Sequence, residues 1–281
     1  MIIVNGQIQN HISASDRALH YGDGCFTTLG FTQGKVHAWP LHLARLQNNC
    51  QRLGIDFAKW QALENDLKQM LIQVSAEQSK GVLKIIITRG QGGRGYSPSG
   101  AQNPTYIIST HEFPTHYTQW QNHGIDLTIS TVKLGKQPLL AGIKHLNRLE
   151  QVLVKQELEK TKFNDAIVCS SDNEIIESSA GNIFWLQDGQ WFTPYLDECG
   201  VEGVMRNQIC DILHSRSQPV KQIKQILDTD FYVQELFICN SLMEIVPVRS
   251  LQLSDTRQPL QFSTVQVKIL QTHVKEVLLN E

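Results

Sequence analysis

Apolar residues recur along the chain in two rhythms, and each rhythm predicts a kind of element. In PLHLARLQNNCQRLG (40–54), Leu43, Leu46, Cys50 and Leu53 fall at helical spacing. Pro40 suits a first helical position, and Gly54 supplies a stop. A second helix follows, with Trp60, Leu63, Leu67, Met70 and Val74 on one face. Further helices are predicted at LNRLEQVLVKQELEKT, GVMRNQICDILHS and FSTVQVKILQTHVKEVLL. Strand patterns occur in MIIVNGQI, with its Asn-Gly turn, and in CFTTLGF and KVHAW, separated by TQG. They recur in GVLKIIITRG, PTYIIST, IDLTISTVKL, DAIVCSS, NIFWLQDGQWFTP (with an Asp-Gly hairpin) and LFICNS. Strands and helices mix without a strict βαβ rhythm, so a mixed α/β (α+β) architecture is expected. HEFPTHYTQWQNHG is polar and unpatterned and reads as a linker. The expected division is an N-terminal α/β domain over 1–110, a linker over 111–123 and a C-terminal domain over 124–281.

A chain of 281 residues, 41% of them hydrophobic, is long enough for a sizeable core. Lys plus Arg (25) nearly balances Asp plus Glu (27), and no basic run occurs, which argues against nucleic acid. No apolar stretch approaches the ~20 residues a membrane span needs. The apolar N-terminal run of three residues is too short for a signal peptide. The six cysteines form no CxxC pair and no His cluster has zinc spacing, so reduced thiols and no metal are expected. These features predict a soluble cytoplasmic protein.

GQGGRG (90–95) matches a dinucleotide-binding fingerprint after a strand, but YSPSGAQNP follows it and no helix opens there. No Walker, HExxH or GxSxG sequence occurs. On this loop Arg94 and Tyr96 stand two apart, suited to clamp a carboxylate, or equally to sit solvated on a surface hairpin. Lys144, in GIKHLNRLEQ, follows an apolar approach, and its nearest charged neighbour in sequence is Arg148. That setting is expected to favour the neutral amine. Taken alone, a solvated lysine at a helix start is the better reading.

Other stretches change that balance. Glu177 closes a short strand, and Arg45 lies on the polar flank of a helix. A glycine-containing loop opens a helix at about Val204, where free N–H groups suit an anion. Asn240 and Ser241 end another strand, with a hydroxyl available to a phosphate. A lysine, a carboxylate and a phosphate cradle are together what pyridoxal phosphate requires.

The stretches VNG, SDRALHYGDGCFTT, HLARLQ, GVLKIIITRGQGGRGYS, LAGIKHLNRLEQVL, ESSAGNIFW, GVEGVMR and CNSLMEIVPV follow one another over nearly the whole chain. In that order they resemble the class IV, branched-chain-type aminotransferases, the fold type IV pyridoxal-phosphate enzymes. The resemblance implies a two-domain D-amino-acid aminotransferase-like fold whose C-terminal domain binds pyridoxal 5'-phosphate. It also implies a homodimer with sites at the subunit interface. Lys144 matches the lysine that holds the cofactor and moves the proton, and Glu177 the acid facing the pyridine nitrogen. Arg45 matches the phosphate-binding arginine. Val204, Met205 and Ser241 match the phosphate's backbone and hydroxyl donors. Arg94 and Tyr96 fall where relatives bind the substrate carboxylate, and Tyr21 and Thr28 on the substrate side of the ring.

Within the family the chain is most similar to the branch that eliminates pyruvate from 4-amino-4-deoxychorismate, giving 4-aminobenzoate for folate. Thr28 is then the candidate for assisting the leaving group, or else a β-branched strand residue with no chemical role. Leu149 stands where related transaminases carry a tyrosine, five residues after the lysine, which argues against a branched-chain transaminase. The alternatives are a D-amino-acid or branched-chain aminotransferase on the same scaffold and a non-enzymatic cofactor-binding module.

Overall fold

A computed structural model describes residues 1–228, 231–254 and 256–279. The chain divides into two compact units, Met1–Pro114 with Lys144–Asn147, and Thr115–Ile143 with Arg148–Glu281.

The first unit runs β1 (Ile2–Val4), β2 (Gln7–Ile8), α1 (Arg17–Tyr21), β3 (Gly24–Thr32), β4 (Lys35–Val36), α2 (Trp39–Leu53), α3 (Trp60–Ser75), β5 (Lys80–Gln91) and β6 (Asn103–His111). Its strands form an antiparallel sheet in the order β2-β1-β6-β5-β3-β4. The predicted Asn-Gly turn is there, with φ of 48° at Asn5 and 83° at Gly6. Alternation along β3 and β5 sends Leu29, Phe31, Leu83, Ile85 and Ile87 into one core with Leu46 and Cys50 of α2 and Leu63 and Met70 of α3. Neither α2 nor α3 has a side-chain N-cap bond. A missing cap forgoes about 1 kcal/mol, whereas each buried Leu or Met contributes about 1.5–3 kcal/mol. Packing therefore holds these helices.

KVHAW is a strand only over its first two residues, because Ala38 turns to φ 48° and α2 opens at Trp39. The edge of β3 next to Gly24–Phe26 is left open by the short β4. Residues Lys144–Leu146 pair there, with the Phe26 N–H donating to the Lys144 carbonyl at 2.9 Å and the Leu146 N–H to the Gly24 carbonyl at 3.0 Å.

The second unit runs α4 (His116–His123), β7 (Ile125–Ile129), α5 (Leu149–Leu158), β8 (Asp165–Cys169), β9 (Ile175–Ser178), β10 (Asn182–Gln187), β11 (Gln190–Pro194), α6 (Val204–Ser215), β12 (Lys221–Ile223), β13 (Glu235–Asn240), β14 (Glu244–Gln252), β15 (Leu260–Gln261) and α7 (Val265–Leu279). Among the described residues the strands make one mixed sheet, β12-β11-β10-β13-β14-β7-β8-β9, with β15 on β14. Strands β10 and β13 are apolar on both faces, as a sheet with a core on either side requires. Trp185, Ile183, Leu236 and Ile238 enter one core. Phe184, Phe237 and Cys239 enter the other, under Met205 and Ile209 of α6 and Val267 and Leu270 of α7. Buried Glu235 caps α7 by accepting from the backbone N–H of Gln266 (3.0 Å) and Val267 (2.8 Å).

The polar stretch read as a linker carries α4, whose Tyr117 and Trp120 pack on the core beneath them. The residue pattern hid this helix because few of its positions are apolar. Strand β14, absent from the sequence reading, holds Pro247, which opposes Phe237 in the ladder. Predicted strand IDLTISTVKL ends at Ile129. No helix among the described residues is long and apolar enough to cross a membrane.

Candidate active site

Lys144 does not head a helix: it lies in the extended segment paired to β3, and α5 opens only at Leu149. The bridge that sets Cys25 opposite His145 also sets Lys144 opposite Phe26. Side chains opposite one another in a ladder share a face. Lys144 Nζ accordingly lies 4.7 Å from the centre of the Phe26 ring. Thr28, two residues on and half-buried, shares that face, opposite Lys84.

Arg45 belongs to the other face of β3. Its Nη2 donates to Thr27 Oγ1 and lies 3.3 Å from His42 Nδ1, and Thr27 Oγ1 lies 2.6 Å from the same nitrogen. Nδ1 thus faces two donors, which requires a neutral ring with its proton on Nε2. Burial, with Arg45 beside it, holds His42 well below the ordinary 6.5. Burial also pulls the Arg45 guanidinium down to about 10. Arg45 Nε is buried without an acceptor, and no carboxylate among the described residues pairs with this cation. Such a guanidinium fits an anionic ligand, and a phosphate matches its fork.

In the second unit Glu177 is buried, one residue short of the end of β9. Oε2 accepts from the Val201 N–H at 2.9 Å, and Oε1 from Gln151 Nε2 at 3.3 Å. Within the second unit, Val201 is bridged to Gly142, so the loop that holds Glu177 is itself paired. Nearby, α6 begins at Val204 after Gly203, which is in extended conformation and makes no side-chain cap. A Cβ at Gly203 would lie 2.1 Å from Asn182 Oδ1, so only glycine lets the helix start that close to β10. The first N–H groups of α6, those of Val204 and Met205 included, have no acceptor within the helix. Ser241 is half-buried in the turn after β13, where Asn240 Oδ1 accepts from the Leu242 and Met243 N–H groups. Asn240 Nδ2 also donates to the Ala180 carbonyl, tying that turn to the one after β9. An uncapped helix start and a turn hydroxyl fit a phosphate as well as Arg45 does.

Arg94 and Tyr96 are exposed on the loop between β5 and β6, and the Tyr96 ring lies 5.5 Å from that of Tyr21. Tyr21 and Tyr96 therefore meet in the first unit, and Arg94 stands two residues from Tyr96 on the same loop. The loop is a hairpin, with no helix after it.

Several residues of this neighbourhood escaped the sequence reading. His42 stands three before Arg45 on one helix face, a spacing that could have found it. Buried Arg17 and Thr27 and half-buried Gln151 left no periodic signal, because they have partners distant in sequence. Asp23 is half-buried between Arg17 and Arg89, each with Nε 2.8 Å from Oδ2. Burial acts to raise its pKa, and the two arginine hydrogen bonds outweigh that and leave it below the ordinary carboxylate value.

The state of His42 has a pH signature. Its folded pKa lies below that of the unfolded chain, so its stabilisation is complete above about pH 6.5 and declines as pH falls below that value. Imidazole nitrogen NMR of the folded protein at pH 6.5 should show His42 neutral and protonated on Nε2, where a free histidine is half charged.

Comparison with known proteins places this geometry. Residues 24–251 match the family model described as amino-transferase class IV. The chain is 40% identical over 261 residues to an aminodeoxychorismate lyase of Vibrio harveyi, covering 92% of this chain and 93% of that one. The crystal structure of 4-amino-4-deoxychorismate lyase from Pseudomonas aeruginosa superposes with a TM-score of 0.90 at 32% identity, covering 98% of both chains. A hypothetical aminotransferase from Mycobacterium tuberculosis in its PLP-bound form shares the fold, with a TM-score of 0.83 at 18% identity over 100% of this chain and 99% of that one. The matched span holds every proposed site residue except Tyr21, and the chain belongs to the class IV aminotransferase family, with its fold type IV architecture.

Proposed function

We propose that this chain is an aminodeoxychorismate lyase, using pyridoxal 5'-phosphate to release pyruvate from 4-amino-4-deoxychorismate and leave 4-aminobenzoate, a folate precursor. The observation that carries the reading is the 40% identity to the Vibrio harveyi lyase over 92% of the chain. Leu149 supports it: the position that holds a tyrosine in related transaminases is an aliphatic residue, 77% exposed.

When bound, the cofactor supplies an electron sink for the carbon that bears the amine. Lys144 would hold the cofactor and then take the proton from that carbon. Glu177, kept in place by Val201 and Gln151, would hold the proton on the pyridine nitrogen. Arg45, the Val204 and Met205 N–H groups and the Ser241 hydroxyl would bind the phosphate. Thr28 would deliver a hydrogen bond or proton to the departing enolpyruvyl oxygen, from the strand face it shares with Phe26 and Lys144. Tyr21, Arg94 and Tyr96 would bind the substrate side, with Arg94 on a carboxylate. The carbon–oxygen bond breaks, the enol becomes pyruvate on gaining a proton, and the ring becomes aromatic, so no oxidant or amino acceptor is consumed.

A homodimer belongs to the same reading. Leu149, Val152 and Leu153 of α5 are 77%, 48% and 51% exposed at i, i+3 and i+4, an apolar stripe that a second copy would cover. A cytoplasmic setting is consistent with the six cysteines, all present as thiols.

Pyruvate release from 4-amino-4-deoxychorismate with no keto acid added tests the activity. Thr28→Val should lower that rate by roughly 10²-fold if the hydroxyl assists the leaving group. Amino transfer that depends on a keto acid, without pyruvate release, would overturn the reading. Borohydride reduction of the cofactor-loaded protein followed by peptide mapping should place the pyridoxyl group on Lys144. Lys136, held by Asp172, Glu174 and Glu198 at 2.7–2.9 Å, and Lys155 should stay unmodified. Sedimentation equilibrium should give twice the 31.8 kDa of one chain.

A further inference from the structure

The glycine-rich loop that resembles a phosphate-binding turn works in the opposite electrical sense. Its carbonyls, and not its N–H groups, converge, and what they surround is Arg17. This side chain is 5% exposed. Nη1 donates to the carbonyls of Gly95 (3.1 Å) and Ser97 (3.2 Å) and lies 3.5 Å from that of Gly92, and Nη2 donates to the Tyr96 carbonyl at 3.1 Å. Nε is occupied by Asp23, which supplies the countercharge.

The glycines fit this arrangement. Gly92, Gly93 and Gly95 have φ of 119°, 76° and 56°. A Cβ on Gly93 would lie 2.2 Å from the Ser97 carbonyl oxygen and 2.8 Å from Arg17 Nη1. A side chain at that position would therefore push the loop off the guanidinium. Arg17 is itself fixed from below. Asp16 caps α1 by accepting from the Ala18 N–H at 2.9 Å and from Thr88 Oγ1 of β5 at 3.0 Å. The guanidinium carbon also lies 4.8 Å from the centre of the Tyr21 ring, and Tyr21 contacts Tyr96.

We propose that Arg17 is a positioning residue: its guanidinium is the template on which residues 92–97 fold, and it sets where Arg94 and Tyr96 stand. The loop has every residue from Gln91 to Gly100 exposed, so no apolar core holds it. Charge-assisted hydrogen bonds to one buried arginine take that place. The loop's shape depends on Arg17 whatever the ligand. That the shape serves binding of a substrate carboxylate rests on the lyase reading above.

The test is native-state trypsin cleavage of the full-length protein after Arg94, with fragment ends read by mass spectrometry, together with steady-state kinetics. Arg17→Met should raise cleavage at Arg94 by about tenfold or more, because local opening of the loop is no longer opposed. It should also raise KM for 4-amino-4-deoxychorismate several-fold while kcat and the absorption of the bound cofactor stay near wild type. Unchanged cleavage at Arg94 in a folded Arg17→Met protein overturns the template. Faster cleavage with unchanged KM overturns the link to substrate. Should Arg17→Met not fold, Gly93→Ala disturbs the clamp from the loop side and leaves the Arg17–Asp23 pair intact. It should give the same rise in cleavage, and its failure to do so overturns the proposal. A wild type that releases no pyruvate counts against the lyase reading alone, since the cleavage result stands without it.

Discussion

Two backbone hydrogen bonds fix the position of Lys144: Phe26 N–H to the Lys144 carbonyl, and Leu146 N–H to the Gly24 carbonyl. They close the open edge of β3 and set the register of a three-residue segment. In a ladder, side chains alternate faces with a period of two. A slip of one residue would turn Lys144 toward the core side, beside Cys25 and Thr27, and present His145 in its place. Gly24 suits the pairing, since a Cβ there would lie 2.8 Å from Leu146 Cδ1 of the paired segment and 2.4 Å from the Ile87 carbonyl oxygen of β5. The short β4 matters for the same reason, because a longer one would occupy the edge that Lys144–Leu146 use.

Two arginines of the first unit face opposite electrostatic problems. Removing a charge from water costs roughly several kcal/mol unless partners replace the lost solvation. Arg17 recovers that cost internally, through Asp23 and a ring of carbonyls. Arg45 does not: a threonine and a neutral histidine accept from it, and Nε is left without an acceptor. The difference separates an arginine whose hydrogen bonds are met within the fold from one whose Nε has no acceptor. His42 reinforces this, because a neutral ring can accept from Arg45 where a charged ring would repel it.

The second unit repeatedly sets backbone N–H groups on carboxylates. Glu235 takes two N–H groups at the start of α7, and Glu177 takes that of Val201. Glu177 is further tied to α5 through Gln151. An outer brace is formed where Lys136 and Lys224 hold Asp172, Glu174, Asp197 and Glu198 together across four connecting segments. Those hydrogen bonds push Glu198 down to about 2. The brace joins the segment before Lys144 to the loop that precedes Val201, and so stiffens the strand bridge between Gly142 and Val201.

The sequence by itself determined the helices α2, α3, α5, α6 and α7 and most strands, because each carries its own period and its own stop. It also determined the family, since the ordered stretches from VNG to CNSLMEIVPV are written locally. α4 and β14 were not legible, the first because its apolar residues are few and the second because Pro247 breaks the strand signal. Tertiary structure alone decided that the extended segment carrying Lys144 pairs with the open edge of β3. It alone decided that Thr28 shares a face with Phe26 and Lys144 while Arg45 takes the other, and that GGRGYS wraps a buried cation. Each of these depends on pairing between residues tens of positions apart. A periodic pattern records which face of its own element a residue occupies; which distant segment fills the space beside it is settled only when the chain is packed.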